Sequence, residues 1–248
     1  NWMEIRVTNA QVNVDVVALT VPGNVRQATL PTVQVESTEL ADGVWRIAGG
    51  SHHSITVEFN DFVAVVEAPQ NEARSLAVIA EVRRLIRNKP IRYVVNTHHH
   101  FDHAGGLRAY VAQSATVVTH QGNRDFYDDV FFQPGRRMLE PDILSDRMPW
   151  FAVNRIPAFE TISGKYVLSD GVRTMDLYPV RGLAHNGNML IAYIPTEKIL
   201  VNADLYSPPA AGALPPSANA SMRSLYQNIE RLNLDVERHV GVHGQVGS

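Results

Sequence analysis

The chain has 248 residues, 45% hydrophobic and 19% charged, enough to bury a substantial core in one domain or two small ones. A net charge of -3 provides no electrostatic footprint for nucleic acid or an anionic membrane, and no apolar run approaches the roughly 20 residues needed to span a bilayer. With 0 cysteines, neither disulfides nor thiolate ligands are available, and any metal must be held by nitrogen and oxygen.

Residues 1–36 alternate apolar and polar positions through Val12, Val14 and Val16, continue through Val17-Ala18-Leu19, and break at Pro22-Gly23. They are expected to be strand and turn, an N-terminal extension packed on a main domain of residues 37–248. The chain opens on Asn1 without a leader pattern, so its compartment stays open. It is expected to be soluble, and cytoplasmic unless a removed signal peptide sent it to the periplasm or outside.

Gly43 to Ala48 predicts a strand. His52 and His53 follow in a loop, and Ile55–Phe59 and Phe62–Val66 flank Asn60-Asp61 as a hairpin. Leu76, Ile79, Val82, Leu85 and Ile86 recur at helical spacing, which predicts a helix from Asn71 to Lys89 stopped by Pro90. The β-branched run Ile91–Val95 then predicts a buried strand, parallel to the one before the helix.

Directly after it comes Thr97-His98-His99-His100-Phe101-Asp102-His103-Ala104-Gly105-Gly106, with four of the ten histidines inside six residues. Imidazoles and a carboxylate packed so closely repel when protonated or lose their hydrogen bonds when desolvated, unless a cation gathers them. The spacing His98-x-His100-x-Asp102-His103 provides one pair two residues apart and one adjacent pair, which converge poorly on one ion and suggest two. The alternative is an exposed polyhistidine run, or a helix start capped by Asp102.

Leu107 to Gln113 predicts a short helix, and Thr116 to Thr119 a strand with His120 at its end, expected to cap the chain there or to support the ligands from behind rather than to bind metal. Residues 122–150 carry Phe126, Tyr127, Phe131, Phe132 and Trp150, and are either a lid or a surface insertion packing its own aromatics. Strands are expected over Val172–Leu177, Met189–Ile194 and Lys198–Asp204. His185 lies on a glycine-flanked loop between the first two of these, and Asp204 ends the third. A helix over Ser217–Leu232, opened by Ser217 or Asn219, leads to a last short strand followed by His243-Gly244.

The segment from His98 to Gly106 resembles the signature of the metallo-β-lactamase superfamily, and the resemblance extends over residues 40 to 245. It implies an α+β fold, a four-layer αβ/βα sandwich of two mixed β-sheets with helices on the outer faces. It also implies two zinc ions, with manganese or iron as substitutes: one held by His98, His100 and His185, the other by Asp102, His103 and His243, with Asp204 shared. Asn186 follows His185 where the family often has Thr or Ser. Relatives that use di-iron carry a glutamate where this chain has His100.

Asp102 and Asp204 are the expected catalytic residues, and His53 or its neighbour His52, Tyr206 and Asn188 are candidates for substrate contact. The loop histidines and Tyr206 also have a purely structural alternative. The implied activity is hydrolysis of an acyl C–O, C–S or C–N bond, in an ester, thioester, lactone or β-lactam, by a hydroxide shared between the ions. The partner is a small-molecule substrate, with neither nucleic acid nor membrane. A β-lactamase proper, a phosphodiesterase and a non-catalytic metal-binding protein are the alternatives. Some members that cleave β-lactams lack an aspartate at the position of Asp204, and a phosphodiesterase would want a basic groove.

Overall fold

A computed structural model describes residues 6–13, 20–29, 32–132, 141–147, 158–183, 187–214 and 216–247. The chain divides into two units, Asn1–Thr32 and Val33–Ser248. In the first, the described residues form one helical turn, α1 (Gly23–Arg26), and no strand. Val7 and Val12 are 75% and 84% exposed; Val14 and Val16 to Leu19 lie outside the described residues.

In the second unit, β1 (Glu36–Ala41), β2 (Val44–Ala48), β3 (Ser54–Glu58) and β4 (Val63–Val66) form an antiparallel meander. Then α2 (Glu72–Leu85) crosses to β5 (Ile91–Val95), which pairs parallel to β4 as expected. The helix opens where Asn71 accepts the Arg74 N–H at 2.9 Å, and ends four residues short of the predicted Lys89. Ile86 is already extended and Asn88 has φ +66°, because the residues before Pro90 must leave helical geometry.

Two short helices, α3 (Phe101–Ala104) and α4 (Leu107–Val111), lead to β6 (Thr116–His120), parallel to β5. A 3-10 turn (Gln121–Asn123), α5 (Arg124–Phe126) and a π-turn (Tyr127–Phe131) follow, then α6 (Ile143–Arg147) and β7 (Phe159–Ile162), parallel to β6. Phe126, Phe131 and Phe132 pack against the core, and Phe132 meets the Phe159 ring edge-on at 5.5 Å. Residues 133–140 and 148–150 of the expected lid, Trp150 among them, lie outside the described residues.

The second sheet runs β13-β12-β11-β10-β9-β8. Its strands are β8 (Tyr166–Ser169), β9 (Thr174–Pro179), β10 (Leu190–Ile194), β11 (Ile199–Asn202), β12 (Arg238–Gly241) and β13 (Val246–Gly247), with α7 (Ala220–Leu232) between β11 and β12. The strand predicted from Val172 begins instead at Thr174. Asp170 accepts the Val172 and Arg173 N–H groups at 2.8 and 2.7 Å, which makes 170–173 a turn between β8 and β9.

Strand periodicity of two produces the layers. On the outer face of the first sheet, Val63, Val65, Val94 and Val117 pack against Val78, Ile79 and Val82 of α2 and Tyr110 of α4. On the inner face, Ala64, Val66, Val95 and Val118 meet Leu190, Ala192, Ile194 and Val201 of the second sheet. The far face of that sheet, Ile191, Tyr193 and Leu200, packs on Leu225 and Ile229 of α7. The result is the expected four-layer sandwich of two mixed sheets between helices. Among the described residues no helix is long and apolar enough to cross a membrane.

Candidate metal centre

Topology brings the candidate residues to one end of the sheets. β4 and β5 are parallel and β3 antiparallel to β4, so the start of β3 lies at the same end of the sheet as the ends of β4 and β5. β11 and β12 are parallel, so the loops bearing Asp204 and His243 leave together. The Leu190 N–H donates to the Thr97 carbonyl at 2.9 Å, which joins the second sheet to the His98 loop.

Two groups of donor atoms result, each with all its atoms within 4.8 Å of one another: His98, His100 and Asp204, and His52, Asp102, His103 and His243. Asp204 spans both. Its Oδ2 lies 3.3 Å from His98 Nε2, while its Oδ1 lies 3.1 Å from His103 Nε2 and 3.0 Å from His243 Nε2.

The outer nitrogens are committed. His103 Nδ1–H donates to Glu67 Oε2 at 2.6 Å, and His243 Nδ1–H donates to the Ser51 carbonyl at 3.2 Å. In their neutral forms both Nε2 atoms therefore present lone pairs, to each other at 3.4 Å and to Asp204. That arrangement is repulsive unless protons or cations stand between.

The charge distribution says the same. Burial alone would depress His103, but the carboxylates of Glu67 and Asp204 outweigh it and push the imidazole up to about 10. Burial works against ionised Asp204 as well, yet His103, His243 and His98 hold its carboxyl far below the ordinary range. A field that retains a proton this strongly also favours a metal cation. Burial, then the neighbouring His243 and His103, push His52 down.

The spacing fits such an ion. Ligands about 2.0–2.1 Å from one ion lie roughly 3 to 3.4 Å from each other, according to whether the shell has five members or four, and the contacts of Asp204 with His98, His103 and His243, and of His103 with His243, fall between 3.0 and 3.4 Å. Imidazole and carboxylate donors without sulfur suit zinc, with manganese or iron as substitutes.

Supporting residues outside the motif complete the site. Glu67, fully buried and at φ +74° directly after β4, accepts from the Thr97 N–H at 2.7 Å as well as from His103. His98 Nδ1 lies 3.0 Å from Thr97 Oγ1. His99 turns away, with Nδ1 2.9 Å from Asn123 Oδ1 and its ring on Phe126.

Of the predicted residues, His98, His100, Asp102, His103, Asp204 and His243 are brought together. His185 lies outside the described residues. His53 is 7% exposed, and its Nε2–H donates to the Gly244 carbonyl at 3.1 Å, so it is His52 that faces the cluster. Tyr206 sets its ring edge-on to His239, centroids 5.7 Å apart, and the Asn188 amide donates to the Gly122 carbonyl at 3.1 Å. His120 caps the turn after β6, accepting the Gly122 N–H at 3.1 Å, as expected of it. Sequence reasoning offered His52 only as a candidate for substrate contact and not as a member of the cluster, and it missed Glu67, whose signal is a lone carboxylate closing the apolar strand Val63–Val66.

A sandwich of two mixed sheets between helices, with His and Asp gathered at the sheet ends in groups that could hold metal ions, is the architecture of the metallo-β-lactamase fold. The chain belongs to the metallo-beta-lactamase superfamily, whose sequence profile matches residues 47–234. It is similar to the metallo-beta-lactamase from Pontibacter korlensis, at 18% identity and TM-score 0.64 over 87% of this chain and 94% of that one. DIM-1 metallo-beta-lactamase matches at 14% identity and TM-score 0.63, over 87% and 92% of the two chains. The metallo beta lactamase from Hirschia baltica matches at 17% and 0.59, over 87% and 93%. At these identities the likeness shows the fold.

Proposed function

We propose that the chain is a hydrolase with a two-ion centre that cleaves an acyl C–O, C–S or C–N bond of a small molecule. The observation that carries this reading is the Asp204 carboxylate, whose two oxygens reach two different histidine groups. His98 and His100 would hold one ion, joined by His185 if the resemblance extends to it; Asp102, His103 and His243 would hold the other. Bound ions of this kind supply Lewis acidity and a water whose pKa falls to about 7 in zinc enzymes.

The chain's own residues set the rest. Glu67 fixes the His103 tautomer, so that Nε2 points inward. Asp102, with its side chain 55% exposed in the first turn of α3, sits at the mouth, where a carboxylate oxygen can orient an attacking water and receive its proton.

A substrate panel tests the reading: chromogenic esters, thioesters, lactones, β-lactams and phosphodiesters, with His98→Ala as control and metal content measured on the same preparations. About two equivalents of metal and acyl-bond turnover lost in the control are expected. Turnover equal in parent and control would remove the site from the reaction, and phosphodiesters alone being cleaved would change the substrate class.

A further inference from the structure

The loop from Gly49 to His53 is held from two directions. The buried guanidinium of Arg74 donates from its NH2 to the Ile47 carbonyl at 3.1 Å and to the His52 carbonyl at 3.2 Å. A Cβ at Gly49 would come within 2.8 Å of that guanidinium carbon, so only glycine admits the arginine there. On the other side the His53 N–H donates to the Val242 carbonyl at 2.8 Å, which ties the loop to the one carrying His243. The imidazole of His52 is therefore placed by backbone, and it is 7% exposed.

Its two nitrogens have distinct surroundings. Nδ1 lies 2.8 Å from Ser51 Oγ, which Gln70 Nε2 also reaches at 3.3 Å. Nε2 points into the cluster, 3.3 Å from Asp102 Oδ2, with the ring 4.1 Å from that of His243. A nitrogen anchored on one side and aimed inward on the other is the arrangement of a metal-bound histidine.

The simpler account has His52 merely donating to Asp102. A charge-assisted N–H···O bond closes to about 2.7–2.9 Å, whereas two ligands of one ion stand roughly 3 to 3.4 Å apart. The observed 3.3 Å is longer than the first and inside the second. Asp102 is moreover the exposed member of the pair, so a buried orienting partner gains little from it.

We propose that His52 is a third imidazole ligand of the ion held by Asp102, His103 and His243, an inference that rests on the two-ion reading above. With Asp204 Oδ1 this ion would then have five donors from the chain, while the other has His98, His100, Asp204 and, by resemblance, His185. The better-saturated ion would be the tighter one, and the open coordination needed for substrate would fall to the His98 group.

The test is cadmium-113 NMR of the whole chain with nitrogen-15 histidine, alongside His52→Ala and His52→Gln. Glutamine keeps a donor for Asp102 but not an imidazole, and thermal melts of both variants check that they fold. In the parent, one cadmium resonance should couple to three imidazole nitrogens, falling to two in His52→Gln. Chelator competition should show the affinity of that site reduced by about 100-fold, at the upper end of what losing an orienting partner alone costs. Two equivalents bound with only two nitrogens on that resonance in the parent would overturn the proposal and leave the two-ion reading standing. Fewer than two equivalents in the parent would overturn both.

Discussion

Glu67 shows how much of the centre depends on a single buried carboxylate. It receives the Thr97 N–H and the His103 Nδ1–H, so it positions the loop before His98 and the ring of His103 together. Glu67→Gln keeps the shape and removes the charge. Chelator competition is expected to show affinity at the Asp102, His103 and His243 site lower by about 10- to 100-fold, with the other site little changed; unchanged affinity at both would mean that Glu67 only packs. His53 makes a different prediction. Burial first, then Arg46, push its imidazole down to about 4, with Nδ1 left without a partner among the described residues. The folded pKa lies below the unfolded value of about 6.5, so stability is complete above pH 6.5 and is lost as the pH falls toward 4. The loss amounts to at most about 3 kcal/mol. Melts of the metal-free protein between pH 7 and 4 should show this slope, and His53→Gln should flatten it.

At the scale of elements, α6 is fastened to α4 by a buried ion pair. Arg108 donates from NH2 to Asp142 Oδ1 at 2.9 Å and to Ser145 Oγ at 3.0 Å, and also from Nε to Asp142 Oδ2 and from NH1 to the Phe131 carbonyl. Glu72 at the start of α2 accepts the Ile143 N–H at 2.5 Å, so α2, α4 and α6 share one network. Asp142→Ala would strand the guanidinium in a buried site, at a cost of about 3–5 kcal/mol in urea or thermal unfolding. A loss under about 1 kcal/mol would show that solvent reaches Arg108 and that the pair does not fasten the helices. The glycines after His103 work at the same scale. A Cβ on Gly106 would meet Ser75 Oγ of α2 and come within 2.7 Å of the Asn71 carbonyl, so the ligand loop lies on α2 at backbone distance.

Over the whole molecule, the centre draws on loops from both sheets, so bound ions would stabilise the sandwich as well as react. An ion at about 1,000 times its dissociation constant adds about 4 kcal/mol. In a domain of this size that corresponds to a shift of about 10 °C in thermal midpoint. Exhaustive chelation should lower the midpoint by at least that much, and zinc should restore it; a midpoint indifferent to chelation would separate the cluster from the stability of the fold.

The local pattern determined a good deal by itself. The ligand loop was legible because His98, His100, Asp102 and His103 are neighbours in sequence, held between a β-branched strand and two glycines. The helices at Glu72–Leu85 and Ala220–Leu232 were legible because one apolar face repeats at 3.6 residues, and Asn71 and Asn219 mark their starts. Their exact ends and the turn at 170–173 were not, since these depend on single side-chain caps and positive φ angles. The choice of His52 over His53, and the service of Glu67 beneath His103, were decided only by the tertiary structure. His52 and His53 are adjacent residues of one loop, and nothing in the loop's own sequence says which of them meets a segment 50 residues on; that is settled by how β3, β4 and β5 pair.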